Sequence, residues 1–314
     1  MTVPIQHLPE AQQIPAFTKI VDDIASGNNV FLAGPAGTGK TTLAEKAAWA
    51  IAGRKEGDGP LPFKTINCTQ WTSPGELKGG QTMEGYREGG LIEAWRHGLL
   101  LILDEMPKLD PNTAGILNDA LAKSGKAEAV IFNGLNQPIP RHPGFGCIAT
   151  GNTFGNSSSA QYGGNQVQDA SLLDRFSGCL YEVGYNETLE RMLVYPDIFS
   201  VCQQIRKALE SYEGQQKGQD AESILSLRTM LNIQKSYELE MLRKTGIADH
   251  AGKRHEDVPH GKTLKDAIEA YLLPFPEEKA RFVREQVNLQ GFYNGYKGQE
   301  HLLAFVEQYQ KRKR

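Results

Sequence analysis

Residues 34–41 constrain the fold of this chain more than any other stretch. Their sequence, Gly-Pro-Ala-Gly-Thr-Gly-Lys-Thr, fits the pattern G-x-x-x-x-G-K-S/T. The apolar residues 29–33 precede them and predict a buried strand, while residues 42–51, which follow, are rich in helix formers. A strand, a glycine-rich turn and a helix in this order favour a phosphate-binding loop over a simple strand-to-helix turn.

The loop has the chemistry that binding a polyphosphate requires. Its three glycines permit backbone geometry that a side chain would block, so successive N–H groups can turn toward one anion. The following helix adds the positive end of its dipole. We expect Lys40 to reach the β- and γ-phosphates and Thr41 to offer its hydroxyl to Mg²⁺. The predicted nucleotide-binding residues of the loop are Gly34, Pro35, Ala36, Gly37, Thr38, Gly39, Lys40, Thr41 and Thr42.

Composition limits the class of protein. The 314 residues are enough for two domains, and the formal net charge of −3 gives no general attraction to nucleic acid or anionic membranes. No apolar run is as long as a membrane span, and the first residues lack the features of a signal peptide. The cysteines are scattered, which favours a reducing cytoplasm and no zinc site; they are Cys68, Cys147, Cys179 and Cys202.

Strand and helix patterns alternate over the first part of the chain. Residues 1–28 predict a lead-in with one amphipathic helix, and residues 29–184 predict an α/β domain with a parallel sheet and helices on both faces. The most apolar run, 99–103, fits a central strand that is covered on both sides. The five predicted strands of this sheet are 29–33, 63–67, 99–103, 145–150 and 179–183.

Two segments interrupt this alternation. Residues 71–98 contain many glycines and predict an insertion with a loop or hairpin and a short helix, not a core element. The pair Asn133-Gly134 predicts a hairpin over residues 129–139. Helix then follows helix, so residues 185–314 predict a C-terminal α-helical domain with helices at 187–209, 221–244, 263–273, 276–288 and 299–313.

Acidic and amide side chains lie at the edge of the predicted sheet where ligands bind in parallel folds. Asp104 closes the central strand and could hold Mg²⁺, and Glu105 could polarise an attacking water; two solvated acids are the alternative. Asn152 ends the fourth strand and could hydrogen-bond the γ-phosphate and the water, or form a turn. Asn67 ends the second strand and could hold Glu105 in an unproductive rotamer, or form a turn.

Two arginines are further candidates for phosphate contacts. Arg175 precedes the fifth strand, and in a ring its guanidinium could reach the nucleotide of a neighbouring subunit; an ion pair with Asp174 is the alternative. Arg228 opens a helix of the second domain and could touch the γ-phosphate, or remain a solvated helix residue. The basic residues 311–314 are expected to complement a helix dipole rather than to bind nucleic acid.

Taken in order, these motifs resemble an AAA+ P-loop ATPase of the MoxR and dynein-related branch. Residues 87–91 and 152–162 are most similar to the small ATPase subunit of aerobic cobaltochelatase. Residues 106–108 differ from the asparagine–arginine that MoxR proteins usually have after the acidic pair. The resemblance rests on residues 34–41, 87–91, 99–105, 125–126, 148–153, 162–164 and 174–176.

The resemblance implies that the chain hydrolyses ATP with Mg²⁺. It also implies a homo-oligomeric ring, usually of six subunits, in which the C-terminal helices form a lid and the insertion faces the pore or a partner. The implied ATPase core consists of Lys40, Thr41, Asp104 and Glu105. Asn152 is the implied first sensor and Arg228 the implied second sensor, and Arg175 is the implied arginine finger acting in trans.

Three functions remain open at this point. The first is a ring-forming ATPase that remodels a protein client, which the sequence does not identify. The second is a nucleic-acid motor, which is less favoured because the insertion carries only Lys78, Arg87 and Arg96 against four glutamates. The third is a P-loop kinase or GTPase, which is less favoured because it would leave Asn152 and Arg175 without a role.

Overall fold

The computed structural model describes residues 14–155, 164–215, 225–255, 261–296 and 299–312. Several predictions fall outside these ranges. They concern residues 1–13 of the lead-in, residues 162–163 of the family motif and the basic residues 313–314. The chain forms two compact units, Met1–Leu189 and Glu190–Arg314. Each helix in the described ranges is too short or too polar to span a membrane.

In the described residues of the first unit there are nine strands and six α-helices. The strands in chain order are β1 (Val30–Ala33), β2 (Phe63–Asn67), β3 (Gly80–Thr82), β4 (Gly85–Arg87), β5 (Leu100–Asp104), β6 (Val130–Phe132), β7 (Pro138–Pro140), β8 (Gly146–Gly151) and β9 (Leu180–Glu182). The helices are α1 (Phe17–Ala25), α2 (Lys40–Ile51), α3 (Pro74–Lys78), α4 (Gly90–His97), α5 (Pro111–Lys123) and α6 (Ala170–Asp174).

Five of these strands form one parallel sheet in the order β2-β5-β8-β1-β9. Residues along each strand point alternately to its two faces. In β1, Val30 and Leu32 pack with apolar residues of α1 and α2, whereas Phe31 and Ala33 pack on the other side with residues of α4 and α5. The predicted α/β fold, a five-stranded parallel sheet covered on both faces, is therefore confirmed.

Sheet order determines which strand ends lie side by side. Strand β8 lies between β1, which leads into the phosphate loop, and β5, which ends in Asp104. The register pairs Leu103 of β5 with Ala149 of β8. Polar residues that follow β8 are therefore placed between the loop and the acidic pair. The sequence did not predict this order, because strand pairing depends on contacts far apart in the chain.

Residues 71–98 contain a hairpin, β3–β4, which follows the short helix α3 and whose strands pair antiparallel. The short helix α3 starts with a capping box, in which Ser73 and Glu76 each accept from the other's backbone N–H. A second hairpin, β6–β7, includes residues 130–140. This hairpin is joined to α3, because the N–H of Gly134 donates to the carbonyl of Lys78 at 2.9 Å.

The remainder of the insertion belongs to the core. Trp95 of α4 is fully buried, and its ring packs against Phe145 with centroids 4.7 Å apart. Its Nε1 donates to the carbonyl of Ile139 at 3.1 Å. The prediction that residues 71–98 contain no core element was wrong, because Leu91 and Trp95 share one buried face of α4.

The second unit is α-helical around one apolar cluster. Its helices, with α7 crossing the division between the units, are α7 (Glu187–Leu193), α8 (Pro196–Gln215), α9 (Leu227–Thr245), α10 (Leu264–Leu272), α11 (Glu277–Gln286), α12 (Leu289–Gly295) and α13 (Gln299–Arg312). The single predicted helix 187–209 is two helices, because Pro196 starts a new one. Helix α12 was not predicted.

Candidate functional site

The phosphate loop connects β1 to α2. Gly39 is the N-cap of α2 with φ 84°, a left-handed conformation that favours glycine. Gly34 lies against β9, where a Cβ atom would be 2.1 Å from the carbonyl oxygen of Val183. The N–H groups of Gly37, Thr38 and Gly39 donate to no acceptor among the residues that the structure describes. These donors fit a bound polyphosphate.

Lys40 is buried at the start of α2, with its ammonium group over the loop. The Nζ atom donates to the carbonyls of Gly34 at 2.9 Å and Pro35 at 2.8 Å. It also donates to Oδ1 of Asn152 at 3.2 Å. Lys40 and Asn152, two predicted site residues that lie 112 positions apart in the sequence, are therefore in direct contact.

A group of hard oxygen ligands lies beside the loop. The hydroxyl of Thr41 donates to Oδ1 of Asp104 at 2.7 Å, and the hydroxyl of Thr150 donates to the same oxygen at 2.6 Å. Hydroxyl and carboxylate oxygens are the ligands that Mg²⁺ prefers, usually with several waters. The predicted metal ligands, Thr41 and Asp104, are therefore together, and the residues present fit this ion.

Negative charge around Asp104 also fits a divalent cation. Burial raises the pKa of the Glu45 carboxyl, and the charges of Glu56 and Asp104 raise it further. Burial raises the pKa of the Cys68 thiol to about 12, with Asp104 and Glu105 adding to the effect. The thiol of Cys68 is therefore protonated at neutral pH and unreactive.

Glu105 follows Asp104 in a left-handed backbone conformation, φ 58° and ψ 37°. Its N–H donates to Oγ1 of Thr150 at 3.1 Å, which fixes the turn. One carboxylate oxygen, Oε2, lies 3.4 Å from Nδ2 of Asn152 and 3.3 Å from Nζ of Lys108. Within the described ranges, the side chain of Asn67 makes no hydrogen bond to Glu105. The contact that restrains the glutamate therefore comes from Lys108 and Asn152.

Arg175 lies outside this group. Its Nε donates to Oδ1 of Asn118 at 3.4 Å, and its carbonyl accepts from Asn29 at 3.1 Å. Asp174 accepts instead from Ser177. Arg175 forms no ion pair in the part of the chain that the structure describes. The alternative that it pairs with Asp174 is therefore wrong for this structure.

Arg228 belongs to the second unit, at the second position of α9. Ser226 caps this helix and accepts from the N–H of Thr229 at 3.3 Å. The Arg228 side chain is exposed. Its proposed role as a nucleotide sensor stays a prediction.

Two residues of the site were missed in the sequence. Thr150 bonds both members of the acidic pair, and Lys108 contacts the carboxylate of Glu105. Thr150 could have been found from strand register, since it lies beside Asp104 once β8 is known to pair with β5. Lys108 gave no comparable signal, because its contact depends on the 3₁₀ turn Met106–Lys108.

Residues 29–176 match the family model of the AAA domain, dynein-related subfamily. This part of the chain is an AAA+ ATPase domain. The match begins immediately before β1 and ends after α6, so the AAA+ domain includes every strand from β1 to β8 and the loop, the acidic pair, Asn152 and Arg175.

The chain is similar to two staphylococcal proteins that are described as uncharacterized. One, from Staphylococcus haemolyticus, is 27% identical over 260 residues, covering 77% of this chain and 89% of that protein. The other, from Staphylococcus aureus strain USA300, is 25% identical over 218 residues, covering 65% of this chain and 76% of that protein.

Among solved structures, NtrX from Brucella abortus in complex with ADP aligns with a TM-score of 0.48 and 17% identity, covering 95% of this chain and 66% of that chain. NtrX in complex with ATP aligns with a TM-score of 0.46 and 19% identity, covering 93% and 64%. The chain spans less than two thirds of the length of the NtrX chains it matches.

Proposed function

We propose that this chain forms a homo-oligomeric ring, usually of six subunits in this branch, and hydrolyses ATP with Mg²⁺ to remodel a protein client. Within the AAA+ family it would belong with MoxR proteins and the small ATPase subunit of aerobic cobaltochelatase, acting in the cytoplasm with its second unit as a lid. The observation that carries the proposal is one connected set of contacts, Lys40–Asn152–Glu105 and Thr41–Asp104–Thr150, with Arg175 outside it.

Each side chain of the connected set has a distinct task. Thr41 and Asp104 would hold Mg²⁺, which would supply positive charge to neutralise the phosphates. When ATP binds, Nζ of Lys40 donates to phosphate oxygens instead of to the carbonyls of Gly34 and Pro35. Glu105 accepts a proton from the attacking water, and Asn152, already in contact with Lys40 and Glu105, orients that water against the γ-phosphate.

The position of Arg175 supports a shared site. A guanidinium without an acidic partner among the described residues keeps its full charge for a phosphate. Arg175 makes no contact with Lys40, Asp104 or Glu105 of its own chain, so a neighbouring subunit's nucleotide is its proposed target. Arg228 is the proposed second contact with the γ-phosphate.

Mixing two inactive variants tests this shared site. We expect Glu105→Gln to bind ATP with little turnover and Arg175→Ala to fold and assemble without hydrolysis. An equimolar mixture should recover measurable ATPase activity, because some interfaces then pair an intact Glu105 with an intact Arg175. Lys40→Ala mixed with Glu105→Gln is the matched control and should recover none, since both lesions affect the same nucleotide pocket. Co-assembly of the first pair without any recovery would refute the trans role of Arg175.

A nucleic-acid motor is the alternative function. In the insertion, Arg96 is paired with Glu88 at 2.9 Å, which removes one of its few basic charges from a phosphate track. Stimulation of the ATPase rate by double-stranded DNA, with a steep dependence on salt, would favour the motor over protein remodelling.

A further inference from the structure

The outer edge of strand β2 faces an open groove. Strand β2 is the last strand on its side of the sheet. Four of its residues, 64–67, line a groove of about 690 Å³. The groove is also lined by strand β3, by Ser73 and Glu76 at the start of α3, and by Arg87 and Glu88. We call this space the edge groove.

The β2 backbone leaves hydrogen-bonding groups unpaired along the edge groove. Leu100 donates to the carbonyl of Pro62 at 3.0 Å, and Cys68 donates to the carbonyl of Asp104 at 2.8 Å. With the β2–β5 register, these bonds direct the backbone groups of even-numbered residues toward β5. The N–H and C=O of Thr65 therefore point outward, and neither has a partner among the described residues.

The β3–β4 hairpin, which contributes lining residues to the edge groove, is held in place by hydrogen bonds. The phenol of Tyr86 donates to the carbonyl of Lys78 at 2.8 Å, and the N–H of Gly134 donates to the same carbonyl at 2.9 Å. The β3–β4 and β6–β7 hairpins are therefore both bonded to the last residue of α3. A groove with a fixed wall does not have to be ordered when a partner binds, which favours affinity.

The charged side chains that line the edge groove, other than Arg87, have ion-pair or hydrogen-bond partners. Lys64 is paired with Glu93 at 2.5 Å and Glu88 with Arg96 at 2.9 Å. Glu76 is bound to the N-terminus of α3 through its capping box. Arg87 is exposed and has no ion pair in the described ranges. Its guanidinium is thus available for a carboxylate.

We infer that the edge groove binds an extended acidic segment of a partner protein, which adds a strand to β2. Its backbone would pair with the outward-directed groups of Thr65 and of the other odd-numbered residues of β2, and one carboxylate would bind Arg87. The strand length of β2 limits the paired stretch to about five residues. This docking site goes beyond the proposed ATPase function and does not require hydrolysis.

A displayed library of random linear peptides tests the inference. Wild-type protein should select peptides with an acidic residue at a fixed position beside β-branched or aromatic residues. A selected peptide, made synthetically and labelled, should bind with an affinity at least about tenfold weaker for Arg87→Glu, since charge reversal repels its carboxylate. Lys19→Glu is the matched control, an exposed charge reversal on α1, and should bind like wild type.

Strand addition makes a second, backbone-level expectation. Thr65→Pro removes the outward N–H, which an edge strand tolerates, and should weaken the same peptide at least about tenfold. In wild-type protein the amide hydrogen of Thr65 should exchange more slowly when the peptide is bound, a readout that needs no variant. Selection of no peptide, or equal affinity for wild type and Arg87→Glu with unchanged exchange at Thr65, would overturn the inference.

Discussion

At the scale of single residues, Thr150 connects the two acids of the site. It is buried at the end of β8, its hydroxyl donates to Asp104, and its oxygen accepts the N–H of Glu105. Left-handed backbone at a non-glycine residue costs free energy and persists when the surroundings hold it. Thr150 thus keeps Glu105 in its unusual conformation and orients the carboxylate proposed to hold Mg²⁺.

We predict that Thr150→Val weakens Mg²⁺ binding. Valine has nearly the same shape but neither hydrogen bond, so Asp104 loses its orientation. Loss of such an outer contact typically costs about 10- to 100-fold in metal affinity or activity. The half-saturating Mg²⁺ concentration for ATP hydrolysis should rise in this range. Thr150→Ser keeps the hydroxyl and is the control; an equal rise in both variants would mean that packing, not the hydroxyl, matters.

The sequence predicted the residues of the site better than their contacts. Lys40, Thr41 and Asp104 follow from a motif in which local chain order determines the chemistry. The contact of Asn152 with both Lys40 and Glu105 required the sheet order, which places β8 between β1 and β5. Asn67 was suggested as the restraint on Glu105, but the side chains of Lys108 and Asn152 are the ones in contact with it.

At the scale of elements, helix ends show how local sequence determines local structure. Asp110 caps α5 by accepting from the N–H of Thr113 at 3.0 Å, and Pro111 takes the first helical position. Such signals are local, so they were predictable. Helix α4 was misjudged because its burial depends on Phe145, which lies far along the chain.

The capping box of α10 should make stability depend on pH. Thr263 donates to Oδ2 of Asp266 through its N–H at 2.9 Å and its hydroxyl at 2.7 Å. These bonds lower the pKa of Asp266 below its ordinary value of 3.8. A carboxyl with a lowered folded-state pKa stabilises the fold above the unfolded-state value, and this contribution is lost as pH falls below 3.8.

We therefore predict a pH-dependent effect of Asp266→Asn. At pH 7 the free energy of unfolding should fall by about 0.5 kcal/mol, because a negative charge at a helix N-terminus is lost. Near pH 3 the difference from wild type should be smaller, since this pH lies below the ordinary pKa of 3.8 and proton binding by the unfolded wild-type chain then offsets part of the stabilisation. Urea unfolding followed by circular dichroism at both pH values measures this, and a constant difference would contradict the charge explanation.

At the scale of the whole molecule, the two units have separate apolar clusters. Unfolding of such a chain need not be a single two-state transition. In our proposal ATP and Mg²⁺ contact the phosphate loop, Asp104, Glu105 and Asn152 of the first unit, and Arg228 is the one proposed contact from the second unit. Ligand at about 100 times its dissociation constant stabilises the folded form by about 2.7 kcal/mol.

We predict that MgATP raises the melting temperature of one transition, that of the first unit. Differential scanning calorimetry with and without the nucleotide measures the shift, and the non-hydrolysing variant Glu105→Gln prevents turnover during the scan. Lys40→Ala should abolish the shift, because the phosphates lose their ammonium contact. A shift that persists in Lys40→Ala would place the bound nucleotide elsewhere.

The close approach of Gly34 to Val183 connects two parts of the chain that are far apart in the sequence. The first glycine of the turn touches the backbone where the last strand of the sheet has just ended, with no room for a side chain between them. The polypeptide leaves the α/β unit a few residues later. A displacement of the phosphate loop by a bound anion would therefore press on the backbone of Val183, a few residues before the chain leaves the first unit.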